Sequence, residues 1–145
     1  MKMMVKIISK SEAQTKKVAG LLAQEIIKKP LKTNGAVLIG MEGELGSGKT
    51  MFAQGFAKEL GIHQRITSPT FVLIKKYRNL YHIDCYRLNK PKELLNLDFK
   101  EIISNPKNII LIEWAEKVKS ILPDDIIWIN FEVVSPRERK IIINS

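Results

Sequence analysis

Residues 43–50 read Gly-Glu-Leu-Gly-Ser-Gly-Lys-Thr, with a glycine, four residues, a glycine, a lysine and a hydroxyl residue in the spacing of a phosphate-binding loop. The residue types suit that chemistry. Gly43, Gly46 and Gly48 allow positive φ and close backbone approach. N–H groups along the segment, including those of Glu44, Leu45, Ser47 and Met51, can then converge on phosphate oxygens at the positive start of a helix. Lys49 stands where its ammonium reaches the β- and γ-phosphates. The Thr50 hydroxyl falls in the first helical turn, facing the Mg²⁺ that bridges the same phosphates. The pattern predicts a nucleotide triphosphatase.

A phosphate loop does not by itself select a reaction, so carboxylates that hold metal or orient water are needed. Asp84 ends the run Tyr81-His82-Ile83-Asp84, and Glu113 ends Ile109-Ile110-Leu111-Ile112-Glu113. In an open α/β sheet ligands sit beyond the carboxyl ends of strands, which puts both acids beside the triphosphate. Each is a candidate for Mg²⁺ coordination or for positioning the nucleophile, and the sequence leaves the division open. Thr70, in Ser68-Pro69-Thr70, is either a hydroxyl that meets the γ-phosphate or part of a rigid turn set by Pro69. His82 shares a strand face with Asp84 and reads as a structural histidine. Cys85 reads as a small packed apolar residue, and Trp114 as a neighbour of the site because it follows Glu113.

The elements that must position these residues follow from periodicity. A strand at Met3 to Ile8 precedes a helix from Glu12 to Lys29, capped by Ser11 with Gln14 closing the box and Val18, Leu21, Leu22 and Ile26 as its apolar face. Ala36 to Met41 is a buried strand, and Thr50 to Leu60 a helix closed by Gly61. Thr70 to Lys76 and Leu80 to Asp84 form strands around a turn at Arg78-Asn79. Pro91 opens a helical stretch towards Ile103. Asn108 to Glu113 is a strand, and Ile126 to Val134 with Lys140 to Ile143 make a closing hairpin around Ser135-Pro136. The order predicts an α/β fold whose sheet is partly antiparallel.

The 145 residues suit one domain, residues 1–145. The lysine-interrupted start is no secretory segment and no apolar run reaches spanning length, so a cytoplasmic protein without a membrane partner is expected. One cysteine makes no internal disulfide. The net charge of +9 admits an anionic partner, yet the lysines are scattered and not interleaved with aromatics, which favours a solvated basic surface over a nucleic-acid face.

Taken together, the loop at Gly43, Thr-Ser-Pro-Thr-Phe at Thr67, His-Ile-Asp-Cys-Tyr-Arg-Leu at His82 and Ile-Glu-Trp at Ile112 closely resemble the TsaE family, formerly YjeE. Leu122-Pro123 and Arg137 extend the likeness over most of the chain. The resemblance implies a P-loop-like three-layer α/β sandwich with a mixed parallel and antiparallel sheet. It also implies an ATPase that works with TsaB and TsaD in forming N6-threonylcarbamoyladenosine at position 37 of tRNAs reading codons that begin with A. On that resemblance ATP or ADP is bound by Lys49 and the Gly43 to Thr50 backbone, and Mg²⁺ by Thr50 and Glu113. Thr70 and Asp84 act near the γ-phosphate, Arg137 lies close to the nucleotide, and the segment around Thr15 borders the adenine. Contact with tRNA is indirect, through the complex. Ser47 stands where the family often has alanine and Met51 where it often has threonine, at positions that contribute mainly backbone N–H groups.

The alternative is a small-molecule P-loop kinase, in which Asp84 would activate a substrate hydroxyl, although no arginine-rich lid is visible. A GTPase fits less well, because Asn89-Lys90-Pro91-Lys92 has lysine where the guanine-reading aspartate belongs. In a non-catalytic reading, nucleotide only orders a partner-binding surface.

Overall fold

Apolar residues on both faces mark the strands that lie deepest. Residues Ile109–Glu113, which form β5, are buried without a break, and so are the first five residues of β2, Val37–Gly43. Such runs belong to parallel strands covered on both sides. In the computed structural model, which describes residues 3–28, 35–67 and 73–145, these two strands sit at the middle of a seven-stranded sheet. The other strands are β1 (Met4–Ser9), β3 (Ile74–Tyr77), β4 (Leu80–Asp84), β6 (Ile127–Val133) and β7 (Arg139–Asn144), and the order across the sheet is β1-β7-β6-β2-β5-β4-β3. Strand β2 runs parallel to β5 and β6, and β4 parallel to β5; the β3–β4, β6–β7 and β1–β7 pairs are antiparallel. The expected mixed sheet is present.

Helices cover both faces. On one lie α1 (Glu12–Lys28) and α2 (Lys49–Glu59), over a core that includes Ile39, Met41, Phe52, Phe56, Leu111 and Phe131. On the other lie the short helices α3 (Lys92–Leu95) and α4 (Phe99–Ser104) with a 3₁₀ segment, Ala115–Ile121, over Leu38, Ile83, Leu94, Phe99, Ile110 and Ile112. The three layers make an α/β sandwich. No helix among the described residues is long and apolar enough to cross a membrane.

Local signals explain the helix ends. Ser11 Oγ accepts the Gln14 N–H at 3.1 Å, and Gln14 Oε1 reaches back to the N–H of Lys10, one residue before the expected partner, at 2.7 Å. Gly61, at φ +80°, ends α2: its N–H bonds to Lys58 O and that of Ile62 to Ala57 O, the pair of bonds of a Schellman cap.

Two expectations need correction. Leu21 is not on the buried face of α1 but is 53% exposed; the buried stripe runs through Thr15, Ala19, Gly20, Ala23 and Ile26. Small residues line it because α1 and α2 nearly touch, a Cβ on Gly55 falling 2.5 Å from Lys16 Cα. The stretch from Pro91 towards Ile103 is two helices, since Asp98 takes a left-handed conformation at φ +59° and interrupts the ladder. The predicted strand from Thr70 is seen from Ile74, its first residues lying outside those described.

Candidate functional site

The parallel strands β2, β5 and β4 all end at one rim of the sheet, where α2 begins. An open cleft of about 1150 Å³ runs along that rim, somewhat larger than the ~300–1,000 Å³ of an ordinary small-molecule pocket. Its walls come from residues Lys10–Ala13 and Thr15, the loop Leu45–Met51, Asp84 with Tyr86–Leu88, Glu113–Trp114 and residues Pro136, Arg137 and Arg139. Segments far apart in the chain meet there.

The glycine loop has the conformation its composition predicts. Gly43, Gly46 and Gly48 lie at φ +154°, +75° and +108°, in the region that favours glycine. A side chain on Gly43 would also meet Phe131 O and Ser47 Oγ at 2.7 Å. Helix α2 starts at Gly48 with no side-chain cap and no acid in its first turn. Its leading N–H groups and positive dipole end are therefore available to an anion.

Lys49 is almost buried. Its ammonium donates to Gly43 O and lies 3.5 Å from the ring centre of Trp114. Burial lowers its pKa from the usual lysine value, and the nearby carboxylates of Glu113, Glu116 and Asp84 oppose that shift. Trp114 itself is held at φ +57°, an uncommon conformation for a bulky residue, and its ring lies 5.1 Å from that of Tyr86.

Thr50 and Glu113 face each other. The Thr50 hydroxyl is 3.3 and 3.5 Å from the two Glu113 oxygens. Two oxygens on neighbouring corners of an octahedral Mg²⁺ site, with arms of 2.0–2.1 Å, lie about 3 Å apart, so this pair could hold one ion with phosphates and waters in the remaining positions. The hard oxygen donors suit Mg²⁺. No three His, Cys, Asp or Glu side chains gather as a metal cage among the described residues. Asp84, paired in register with Glu113, lines the same cleft, and its Oδ1 accepts the Tyr86 N–H at 3.0 Å.

Other predicted site residues fall as follows. Leu45, Gly46, Ser47, Gly48 and Met51 line the cleft and Gly43 and Glu44 do not; Glu44 O accepts the Ser47 N–H. Ser47 Oγ is buried and has no hydrogen-bond partner among the described residues. Thr15 lines the cleft and is buried. Ser9 Oγ directs its proton to Ser11 O, so the Thr15 hydroxyl donates to Ser9 at 2.7 Å. Its methyl is turned towards Gly48. Arg137 lines the cleft too, and Thr70 lies outside the described residues. Cys85 is packed and apolar in surroundings, as read from the sequence.

The structure adds contacts for two further residues. Arg139 ties the β6–β7 connection to the phosphate loop, donating from Nε and Nη2 to Gly46 O at 3.2 and 3.0 Å. Its only sequence signal was proximity to Arg137. His82, read as structural, is fully buried with Nε2 2.5 Å from Glu113 Oε2.

A mixed sheet in three layers, with a glycine loop leading from the central strand into a helix beneath a lysine, a threonine and a strand-end glutamate, defines a P-loop-type α/β protein. Comparison with known proteins agrees and narrows it. Residues 9–141 match the family model described as threonylcarbamoyl adenosine biosynthesis protein TsaE. The tRNA threonylcarbamoyladenosine biosynthesis protein TsaE of Rickettsia felis is 41% identical across 96% of this chain and 80% of its own length. The protein of the same name from Bacillus subtilis is 39% identical across 72% of this chain. The crystal structure of Bacillus subtilis YdiB superposes with a TM-score of 0.75 at 31% identity, covering all of this chain and 87% of the other. The chain belongs to the TsaE family of threonylcarbamoyladenosine biosynthesis proteins.

Proposed function

We propose that this protein is a Mg²⁺-dependent ATPase that supports TsaB and TsaD in forming N6-threonylcarbamoyladenosine on tRNA. The observation that carries the reading is the Thr50–Glu113 pair, a hydroxyl and a carboxylate at 3.3 Å beside the uncapped start of α2. ATP and ADP are the nucleotides, with the triphosphate lying along the loop. The N–H groups from Gly46 to Met51 bind phosphate oxygens, and Lys49 exchanges Gly43 O and the Trp114 face for the β- and γ-phosphates. Thr50 and Glu113 would hold Mg²⁺, which would supply charge neutralisation for the transferred phosphoryl group. Asp84 orients the attacking water from the neighbouring strand end. Arg137 meets the nucleotide from the β6–β7 side, and the segment around Thr15 borders the base.

Partner proteins complete the cycle. P-loop sites are often slow until a partner supplies the last group or ordering contact, so turnover by the isolated chain is expected to be weak. The test measures ATP hydrolysis by the protein alone and with TsaB and TsaD, following tRNA modification in the same tubes. Stimulated hydrolysis accompanied by repeated modification turnovers is the expected result. Transfer of the γ-phosphate to a metabolite instead of water overturns the reading in favour of a kinase.

A further inference from the structure

Buried Glu113 needs something to aim it. It is 3% exposed, and its contacts with Thr50, at 3.3 and 3.5 Å, are too long to lock a carboxylate. The short contact comes from His82 Nε2, at 2.5 Å. The sheet explains how the ring arrives: His82 on β4 is in register with Leu111 on parallel β5, so Glu113 is its diagonal neighbour two residues on. Alternation turns His82, Asp84, Leu111 and Glu113 to the same face, the one that carries α2.

We propose that His82 is the positioning residue of the cation site, its Nε2–H fixing the orientation in which the Glu113 carboxylate meets the Thr50 hydroxyl and a divalent cation. The inference rests on the reading of Thr50 and Glu113 as Mg²⁺ ligands. His82 Nδ1 is buried with no partner among the described residues, and the ring's hydrogen bonding goes to Glu113 alone. Histidine is fitted to the task because its rigid ring spans the diagonal between strands while the strand backbones hold both ends. Supporting groups behind metal ligands set ligand direction and basicity, and losing one typically costs about tenfold to a hundredfold in metal affinity.

The experiment compares the parent chain with His82→Leu, His82→Gln, His82→Asn and Glu113→Gln, reading ADP binding by calorimetry in EDTA and across a Mg²⁺ titration, with folding checked by thermal melting. Gln retains an N–H near the Nε2 position, whereas the Asn amide is too short to reach. In EDTA the His82 variants are expected to bind ADP as the parent does. The Mg²⁺ concentration at half effect should rise by about tenfold or more in His82→Leu and His82→Asn, and return most of the way in His82→Gln. If Leu fails to fold, the Gln and Asn pair carries the comparison. Equal midpoints for Gln and Asn, or an unchanged midpoint in Asn while Glu113→Gln raises it, overturn the role of His82 and leave the metal site standing. An unchanged midpoint in Glu113→Gln overturns the metal site and this inference together.

Discussion

Lys49 is poised between two uses. In this structure it serves the loop carbonyl of Gly43 and the π face of Trp114, a desolvated cation–π contact worth about 2 kcal/mol. A phosphate offers full opposite charge and several acceptor oxygens, so it wins the exchange once bound. Lys49→Ala is therefore expected to weaken ADP binding by roughly tenfold to a hundredfold, the ~1.5–3 kcal/mol of a charged hydrogen bond, and calorimetry checks it. Cys85 makes the opposite case. Burial, helped by the Asp84 and Glu116 carboxylates against Lys117, pushes its thiol up to about 12. A raised pKa leaves less thiolate at every pH below it, so alkylation at pH 8 should be at least about a hundredfold slower in the folded protein than in urea. The rate should climb without a plateau up to about pH 10, and mass spectrometry of iodoacetamide-treated protein reads both.

Among the elements, the α1–α2 contact decides how close the N-terminal segment comes to the phosphate loop. Gly55 permits it: a Cβ there would lie 2.5 Å from both Lys16 Cα and Lys16 O, which are backbone atoms unable to rotate away. Alanine gains about 1 kcal/mol of helix propensity over glycine, but overpacking against a fixed backbone costs about 1–3 kcal/mol. The clash prevails, and Gly55→Ala should lower stability in urea unfolding by up to about 2 kcal/mol. Because Thr15 and Lys16 are adjacent, the same substitution should also weaken nucleotide binding, which a Gly61→Ala control at the far end of α2 should leave unchanged. Unequal effects on binding at equal loss of stability would confirm that the helix spacing shapes the cleft.

Across the whole molecule the cleft joins both halves of the sheet. The β1–α1 connection and the β6–β7 connection reach it from one side of β2, and the ends of β4 and β5 from the other. On the proposed function, a nucleotide spanning it would stabilise the assembly as a unit. With ADP and Mg²⁺ at a hundred times the dissociation constant, the gain is about 2.7 kcal/mol, which for a chain of this size raises Tm by roughly 5–11 °C. A thermal melt with one shifted transition is the expected result, and a second, unshifted transition would show that one half does not take part.

Much of the candidate site could be read from the chain because its signals are local. The loop from Gly43 to Thr50 needs no distant residue to show glycine freedom, a lysine and a hydroxyl at fixed spacing, and Asp84 and Glu113 announced themselves as acids closing apolar strands. The capping of α1 by Ser11 and of α2 by Gly61 was readable for the same reason. Other features depend on atoms brought together only by folding. Diagonal register between β4 and β5 turned His82 from an isolated ring into the close partner of Glu113. The β6–β7 hairpin aimed Arg139 at Gly46 O, and the tight helix crossing moved Leu21 to the surface while burying alanines and glycines. Spacing along the chain determined which groups could bind phosphate; packing between strands and helices decided which of them touch, because side-chain reach and strand register are set by the sheet as a whole.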